Sequence, residues 1–181
     1  MRILGIPGSL RADSLNRELL RLTAEELPEG VELVVYEGLA QVPPYDQDLD
    51  DLQPDEVERL KAEIAAADAV LVATPEFNGS IPGQLKNTLD WVSRPLAENP
   101  IRSKPVAVIG ASTSSFGGIW AQRELKKVLG IMGAVVLDTE LAVPKAHGVL
   151  DEPDSEVRAQ LRDVANALLG AATPSRAAVH A

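Results

Sequence analysis

Short apolar runs alternate along the chain with longer segments in which apolar residues recur every three or four positions. The runs are rich in β-branched residues and bounded by polar or turn-forming ones, which is typical of buried strands. Five such strands are predicted: Ile3–Pro7, Val31–Tyr36, Ala69–Thr74, Pro105–Ala111 and Ala134–Leu137.

The segments with helical spacing lie between and after these runs. They are SLNRELLRLTAEEL, PDEVERLKAEIAAA, PGQLKNTLDWV, WAQRELKKVLG and DSEVRAQLRDVANALLG, and Gly170 is suited to ending the last helix. Strands that alternate with helices predict a parallel sheet covered on both faces, a doubly wound α/β fold. We expect residues 1–171 to form one domain and residues 172–181 to be a mobile C-terminal tail.

Composition and charge narrow the possible functions. A chain of 181 residues suits one domain, and its net charge of −10 disfavours nucleic acid and anionic membrane surfaces as partners. No apolar run approaches the roughly 20 residues that a membrane span needs, and we expect a cytoplasmic protein. Because the chain has no cysteine, thiol and iron–sulfur chemistry are excluded, and any redox chemistry must belong to a bound cofactor.

Ligands of such folds bind beyond the carboxyl ends of the strands, where the strand order reverses. The first loop, SLRADSLN, offers two serine hydroxyls, the Asn16 amide and the Arg11 guanidinium next to a helix that Ser14 can cap. Together these donors suit one phosphate group. An ordinary capped turn with a solvated arginine explains the same stretch equally well when it is considered alone.

Two further loops are rich in small and hydroxyl residues. TPEFNGSIPG follows the third strand, and GASTSSFGG follows the fourth.

Other chemistry finds little support: the acidic run YDQDLDD does not match a calcium loop because Asp51 and Val57 stand at key positions, and no Ser-His-Asp set is present. We expect that run to place Tyr45 near the site, Asp90 and Arg94 to pair on one helix, and His147 and His180 to be solvated.

The motifs GSLRADSLN, PPYDQDL, TPEFNGSIPGQLKNTLDWVSR and GASTSSFGGIWAQRELKKVLG resemble the NADPH-dependent FMN reductase family. The resemblance runs from about Met1 to Leu169. It implies a flavodoxin-like five-stranded parallel sheet of order 2-1-3-4-5 with helices on both faces. It also implies an enzyme with FMN as cofactor, with NADPH or NADH as electron donor and with small-molecule acceptors such as quinones, flavin, chromate or azo compounds. A homodimer or homotetramer is implied as well.

The same resemblance implies which residues bind FMN. The phosphate end would be held by Ser9, Arg11, Ser14, Leu15 and Asn16; the isoalloxazine would be lined by Pro75, Glu76, Phe77, Asn78, Gly79 and Ser80; and its other side would face Ser112, Ser115, Phe116 and Gly117. Two residues depart from the family pattern. Pro7 stands where the family often has serine, and Trp120 stands where arginine is common.

The implied mechanism is hydride transfer through FMN N5, so no protein side chain is expected to be catalytic and no metal is expected. Since a carboxylate beside a reduced flavin would oppose it electrostatically, we expect Glu76 to point away, toward a partner subunit. Two alternatives stay open: a flavodoxin-like electron carrier that binds FMN without oxidising NAD(P)H itself, and a flavin-free regulatory domain on the same scaffold.

Overall fold

Six parallel strands form one sheet in the computed structural model, which describes residues 1–152 and 155–173. The strands are β1 (Arg2–Pro7), β2 (Glu32–Val35), β3 (Ala69–Ala73), β4 (Pro105–Ala111), β5 (Val135–Val136) and β6 (Leu141–Val143). The helices are α1 (Leu15–Glu25), α2 (Asp55–Ala66), α3 (Gly83–Val92), α4 (Ile119–Ile131) and α5 (Glu156–Ala172).

The strand order is β2-β1-β3-β4-β5, which confirms the predicted flavodoxin-like topology. One detail differs, because the fifth position in the sheet is filled by two short strands. β5 pairs with the start of β4 and β6 pairs with its end, from Ile109 to Ala111. The chain leaves the sheet edge between them at the polar residues Asp138–Glu140; β5 lies within the strand predicted at Ala134–Leu137, and β6 is an additional strand that was not predicted.

The central strands alternate side chains between two apolar layers, as the period of two in a β-strand requires. On β4, Val106 and Val108 pack with α2, α3 and α4, whereas Ala107 and Ile109 pack with α1 and α5. Helices therefore cover both faces of the sheet. Parallel strands buried on both faces are expected to be almost wholly apolar, as β3 is.

Pro7 ends β1 at a position where its missing N–H is tolerated. The Gly8 N–H donates to the Ala73 carbonyl of β3 at 2.8 Å, so the nitrogen of the preceding residue faces the opposite side, toward β2. β2 ends at Val35, opposite Gly5, and no β2 residue pairs with Pro7. The last bond between this edge of β1 and the chain after β2 runs from the Tyr36 N–H to the Gly5 carbonyl at 2.8 Å, so Pro7 stands where this pairing stops.

Two helix predictions need correction. α5 continues past Gly170 to Ala172, so Gly170 does not end this helix; residues 174–181 of the predicted tail lie outside the described residues. The expected Asp90–Arg94 pair is absent from the described ion pairs, because α3 ends at Val92 and Asp90 pairs with Lys86 at 2.7 Å. No helix in the described part of the chain is long and apolar enough to cross a membrane.

Candidate functional site

A cavity of about 160 Å³ opens at the carboxyl ends of β1, β3 and β4. Three separate segments of the chain form its wall, and they are the three loops that the sequence singles out. This convergence confirms that the donor-rich loops share one edge of the sheet. The lining residues are Ser9, Arg11, Ser14, Leu15, Asn16, Pro75, Glu76, Phe77, Ala111, Ser112 and Thr113.

The first turn of α1 supplies hydrogen-bond donors to this cavity. Ser14 is the N-cap residue of α1, and its Oγ accepts from the Arg17 N–H at 3.4 Å, which leaves its own hydroxyl proton free to donate. Ser9 is placed in the same way, since its Oγ accepts from the Arg11 N–H at 3.3 Å. The first-turn N–H groups of a helix have no partner within it and carry the positive end of its dipole. An anion in the cavity would be stabilised by all of these groups.

The Asn16 side chain has a structural role that the sequence did not predict. Its Nδ2 donates to the Ala111 carbonyl at 3.1 Å, and its Oδ1 accepts from the Ala111 N–H at 2.9 Å. The side chain is buried, and both of its partners belong to the last residue of β4. The amide thus joins α1 to β4 through its oxygen and one of its two N–H groups, and Asn16 also lines the cavity.

The loop after β3 makes a tight turn beside the cavity. Phe77 and Ser80 exchange two backbone hydrogen bonds, of 3.0 and 3.1 Å. Asn78 and Gly79 between them have φ values of 54° and 76°, as in a type I′ turn, for which Asn-Gly is the favoured pair. Consequently Pro75, Glu76 and Phe77 line the cavity, whereas the three predicted residues from Asn78 to Ser80 form the turn at its rim.

Glu76 connects two of the three loops. Its Oε2 accepts hydrogen bonds from the Trp120 N–H at 3.0 Å and the Ala121 N–H at 3.2 Å, at the start of α4. The N-cap residue of α4 is Gly118, which has no side chain to cap the helix. The carboxylate therefore stabilises the N-terminus of α4 within its own chain, where we expected it to point toward a partner subunit.

The loop after β4 completes the wall with Ser112 and Thr113. Thr113 was not among the predicted site residues, although the hydroxyl run STSS was a signal that could have found it. Ser115, Phe116 and Gly117 continue along this loop outside the cavity lining. Gly117 has φ of 62°, and a Cβ there would come within 2.6 Å of the Ala142 backbone, so the close approach of this loop to β6 requires glycine.

The donor set fits the phosphate of a mononucleotide. Arg11 supplies a positive charge from an exposed position, two serine hydroxyls are free to donate, and the one carboxylate in the lining, Glu76, is bound to α4. The cavity is smaller than the roughly 300–1,000 Å³ of pockets that enclose a drug-sized ligand. A mononucleotide would therefore place its phosphate end in the cavity and its ring along the outer loops. The fold and the site together define a flavodoxin-like protein with a donor-lined cavity at the switch point of the sheet.

Comparison with known proteins gives the family. Residues 1–148 match the model of the NADPH-dependent FMN reductase family, and the chain belongs to this family. It is 39% identical over 153 residues to an NAD(P)H-dependent FMN reductase of Pseudomonas aeruginosa, covering 83% of this chain and 82% of that one. It is 35% identical over 140 residues to a quinone reductase of Escherichia coli K12, covering 76% and 74% of the two chains.

A solved structure agrees with these relatives. The flavoenzyme FerB of Paracoccus denitrificans, an NAD(P)H:(acceptor) oxidoreductase, superimposes with a TM-score of 0.81 at 31% identity, covering 94% of this chain and 96% of that chain. The protein is an oxidoreductase that uses FMN and NAD(P)H, as the sequence resemblance predicts. The alternative of an electron carrier finds no support in these relatives, all of which are named as reductases or oxidoreductases.

Proposed function

We propose that this enzyme reduces quinones, and related acceptors such as flavin, chromate and azo compounds, at the expense of NADPH or NADH. One observation carries the proposal: Arg11, two serine hydroxyls and the first-turn N–H groups of α1 converge on a single cavity at the switch point of the sheet. The name of the Escherichia coli relative, a quinone reductase, supports the choice of acceptor. The use of NAD(P)H supports a cytoplasmic location.

The residues have separate tasks in this proposal. Arg11 neutralises the phosphate charge, Ser9 and Ser14 fix the orientation of the phosphate, and the backbone around Leu15 and Asn16 adds N–H donors. The residues that would hold the ring system are those of the outer loops, namely the segment Pro75–Ser80 on one side and Ser112 with the stretch Ser115–Gly117 on the other. When bound, FMN supplies the redox chemistry, accepting hydride at N5 and passing electrons to the acceptor. The protein binds, orients and partly shields it.

The phosphate site is tested by comparing FMN with riboflavin, which lacks the phosphate. Arg11→Gln keeps the length of the side chain approximately but removes its charge. Because charge-assisted hydrogen bonds contribute about 1.5–3 kcal/mol, and Arg11 is exposed, we expect the Kd for FMN to rise about tenfold. The Kd for riboflavin should not change. Fluorescence titration of the apoprotein with each flavin measures both values.

Arg102→Gln is the matched control, since Arg102 is also exposed but precedes β4, at the opposite edge of the sheet. It should leave both dissociation constants unchanged. An Arg11 variant with unaltered FMN affinity, or with riboflavin affinity reduced to the same extent, would contradict the phosphate assignment.

Activity is tested in the wild type: NADPH alone should bleach the bound flavin, and addition of a quinone should restore its colour. An electron carrier would require a separate reductase for the first step.

We also propose that the enzyme is a homodimer or homotetramer. Several large apolar side chains are exposed on the single chain, among them Leu52 and Leu96, and self-association would bury such surface. Light scattering on the pure protein should give a mass that is a multiple of 19.3 kDa. A stable mass of one chain at micromolar concentration would exclude the oligomer.

A further inference from the structure

Of the three exposed aromatic side chains, that of Phe77 lines the cavity, and those of Phe116 and Trp120 lie outside its lining, in the segment that continues from Ser112 and Thr113. The chain has two phenylalanines, two tryptophans and two tyrosines. Tyr36 and Trp91 are buried, and Tyr45 is half-buried against Trp91. The other three aromatic side chains lie in, or directly after, the loops that follow β3 and β4. Their exposed fractions are 52% for Phe77, 58% for Phe116 and 46% for Trp120.

Phe116 and Trp120 contact each other and form an aromatic pair. Their ring centroids are 4.7 Å apart and the ring planes are inclined at 56°. The pair follows directly on Ser112 and Thr113, which line the cavity. The Trp120 N–H donates to Glu76, another lining residue, at 3.0 Å. The backbone of Trp120 is therefore attached to the cavity wall through the Glu76 carboxylate.

The chemistry of the pair suits a planar ligand with carbonyl groups. Exposed aromatic faces bind other flat rings by stacking, and burial of the apolar area adds to the affinity. The indole N–H of Trp120 makes no hydrogen bond to another residue in the described part of the chain, so it is available to a carbonyl oxygen of a ligand. A quinone presents both features, a flat ring and carbonyl acceptors.

From these contacts we infer that Phe116 and Trp120 form the binding surface for the acceptor, and that they favour quinones with fused aromatic rings over acceptors without a flat ring. This inference rests on the proposed function, because it names the class of acceptor for the same site. Phe116 and Trp120 pack against the ring of the quinone, and the Trp120 indole N–H donates to one of its carbonyl oxygens.

The test compares menadione, a naphthoquinone, with ferricyanide, an inorganic acceptor that cannot stack. Trp120→Leu and Phe116→Leu keep apolar bulk but remove the aromatic faces. In each variant we expect kcat/KM for menadione to fall about threefold to tenfold relative to kcat/KM for ferricyanide. The fall should come from a higher KM for menadione, with kcat unchanged. Trp120→Phe, which keeps a ring and loses the N–H, should give a smaller fall than Trp120→Leu. Both acceptors are assayed with the FMN-loaded enzyme at saturating NADPH.

Ile131→Ala is the control. Ile131 is 78% exposed at the far end of α4, so this substitution removes apolar surface away from the site. It should leave the ratio of the two kcat/KM values unchanged. The inference is overturned if the leucine variants also keep this ratio, or if they change the mass of the protein in light scattering, since the pair would then belong to a subunit interface. Failure of the proposed function is distinguishable, because the wild-type enzyme would then oxidise NADPH with neither acceptor.

Discussion

Asn16 and Asn99 are buried asparagines whose amides replace backbone hydrogen bonds at the ends of strands and turns. Asn16 bonds to both polar backbone atoms of Ala111, at 2.9 and 3.1 Å. Asn99 donates to the Met132 carbonyl at 2.8 Å and accepts from the Ile101 N–H at 3.1 Å. Both side chains are nearly inaccessible to solvent, at 3% and 6% exposure. Only Asn16 lies at the cavity. Substitutions at the two residues therefore distinguish the contribution of a buried amide to stability from its contribution to FMN binding.

Asn16→Ala would leave the N–H and the carbonyl of Ala111 buried without a partner. We expect it to lower the free energy of unfolding by about 2–6 kcal/mol, from about 1–3 kcal/mol for each of the two unsatisfied groups, as measured by urea denaturation of the apoprotein. FMN affinity should fall too, because α1 is no longer joined to β4. Asn99→Ala should lose comparable stability but keep its FMN affinity. Equal effects of the two substitutions on FMN binding would contradict this distinction.

Helices α1 and α5 are joined at their surface by a network of ion pairs. Arg158 donates to Glu25 and Glu26 at 3.0 Å, and Arg162 donates to Glu26 at 2.6 Å. The hydrogen bond from Arg162, and to a smaller extent that from Arg158, holds the pKa of Glu26 below its ordinary value of 4.5. The hydrogen bond from Arg158 also lowers the pKa of Glu25. The network fastens α5, which lies beyond the residues matched by the family model, to the rest of the fold.

The network predicts a pH dependence of stability. Because the pKa of Glu26 is lowered in the folded state, its contribution is complete above pH 4.5 and is lost as the pH falls through the lower, folded-state pKa. Arg162→Gln should therefore reduce the free energy of unfolding at pH 7, by less than about 1 kcal/mol because the Arg162 side chain lies at the surface.

Urea denaturation at pH 7 and at successively lower pH below 4.5 measures this effect, and the difference from wild type should shrink as the pH falls. Arg102→Gln, which removes an exposed arginine without a carboxylate partner among the described ion pairs, should show no such trend. A difference between wild type and Arg162→Gln that is constant with pH would mean that Glu26 does not carry the effect.

At the scale of the whole molecule, the sheet and the position of the site followed from patterns close together in the sequence. Alternation of strand and helix periods gave the doubly wound fold, and hydroxyls, glycines and Arg11 marked the three loops. The Asn16–Ala111 and Glu76–Trp120 bonds join residues 95 and 44 positions apart, and no local pattern specifies such partners. β6 was missed because Leu141–Val143 is a very short apolar run between polar segments.

The cavity wall is assembled from segments 9–16, 75–77 and 111–113, so the cavity exists only when β1, β3 and β4 lie side by side. FMN should accordingly bind the native chain and not the unfolded one, and by mass action it should stabilise the fold by about 2.7 kcal/mol at a free concentration one hundred times its Kd. Thermal denaturation of apoprotein at increasing FMN should show a rising midpoint; a constant midpoint would mean that FMN does not bind the native chain in preference to the unfolded one. The folded fraction of this enzyme is thereby coupled to the supply of a vitamin-derived nucleotide.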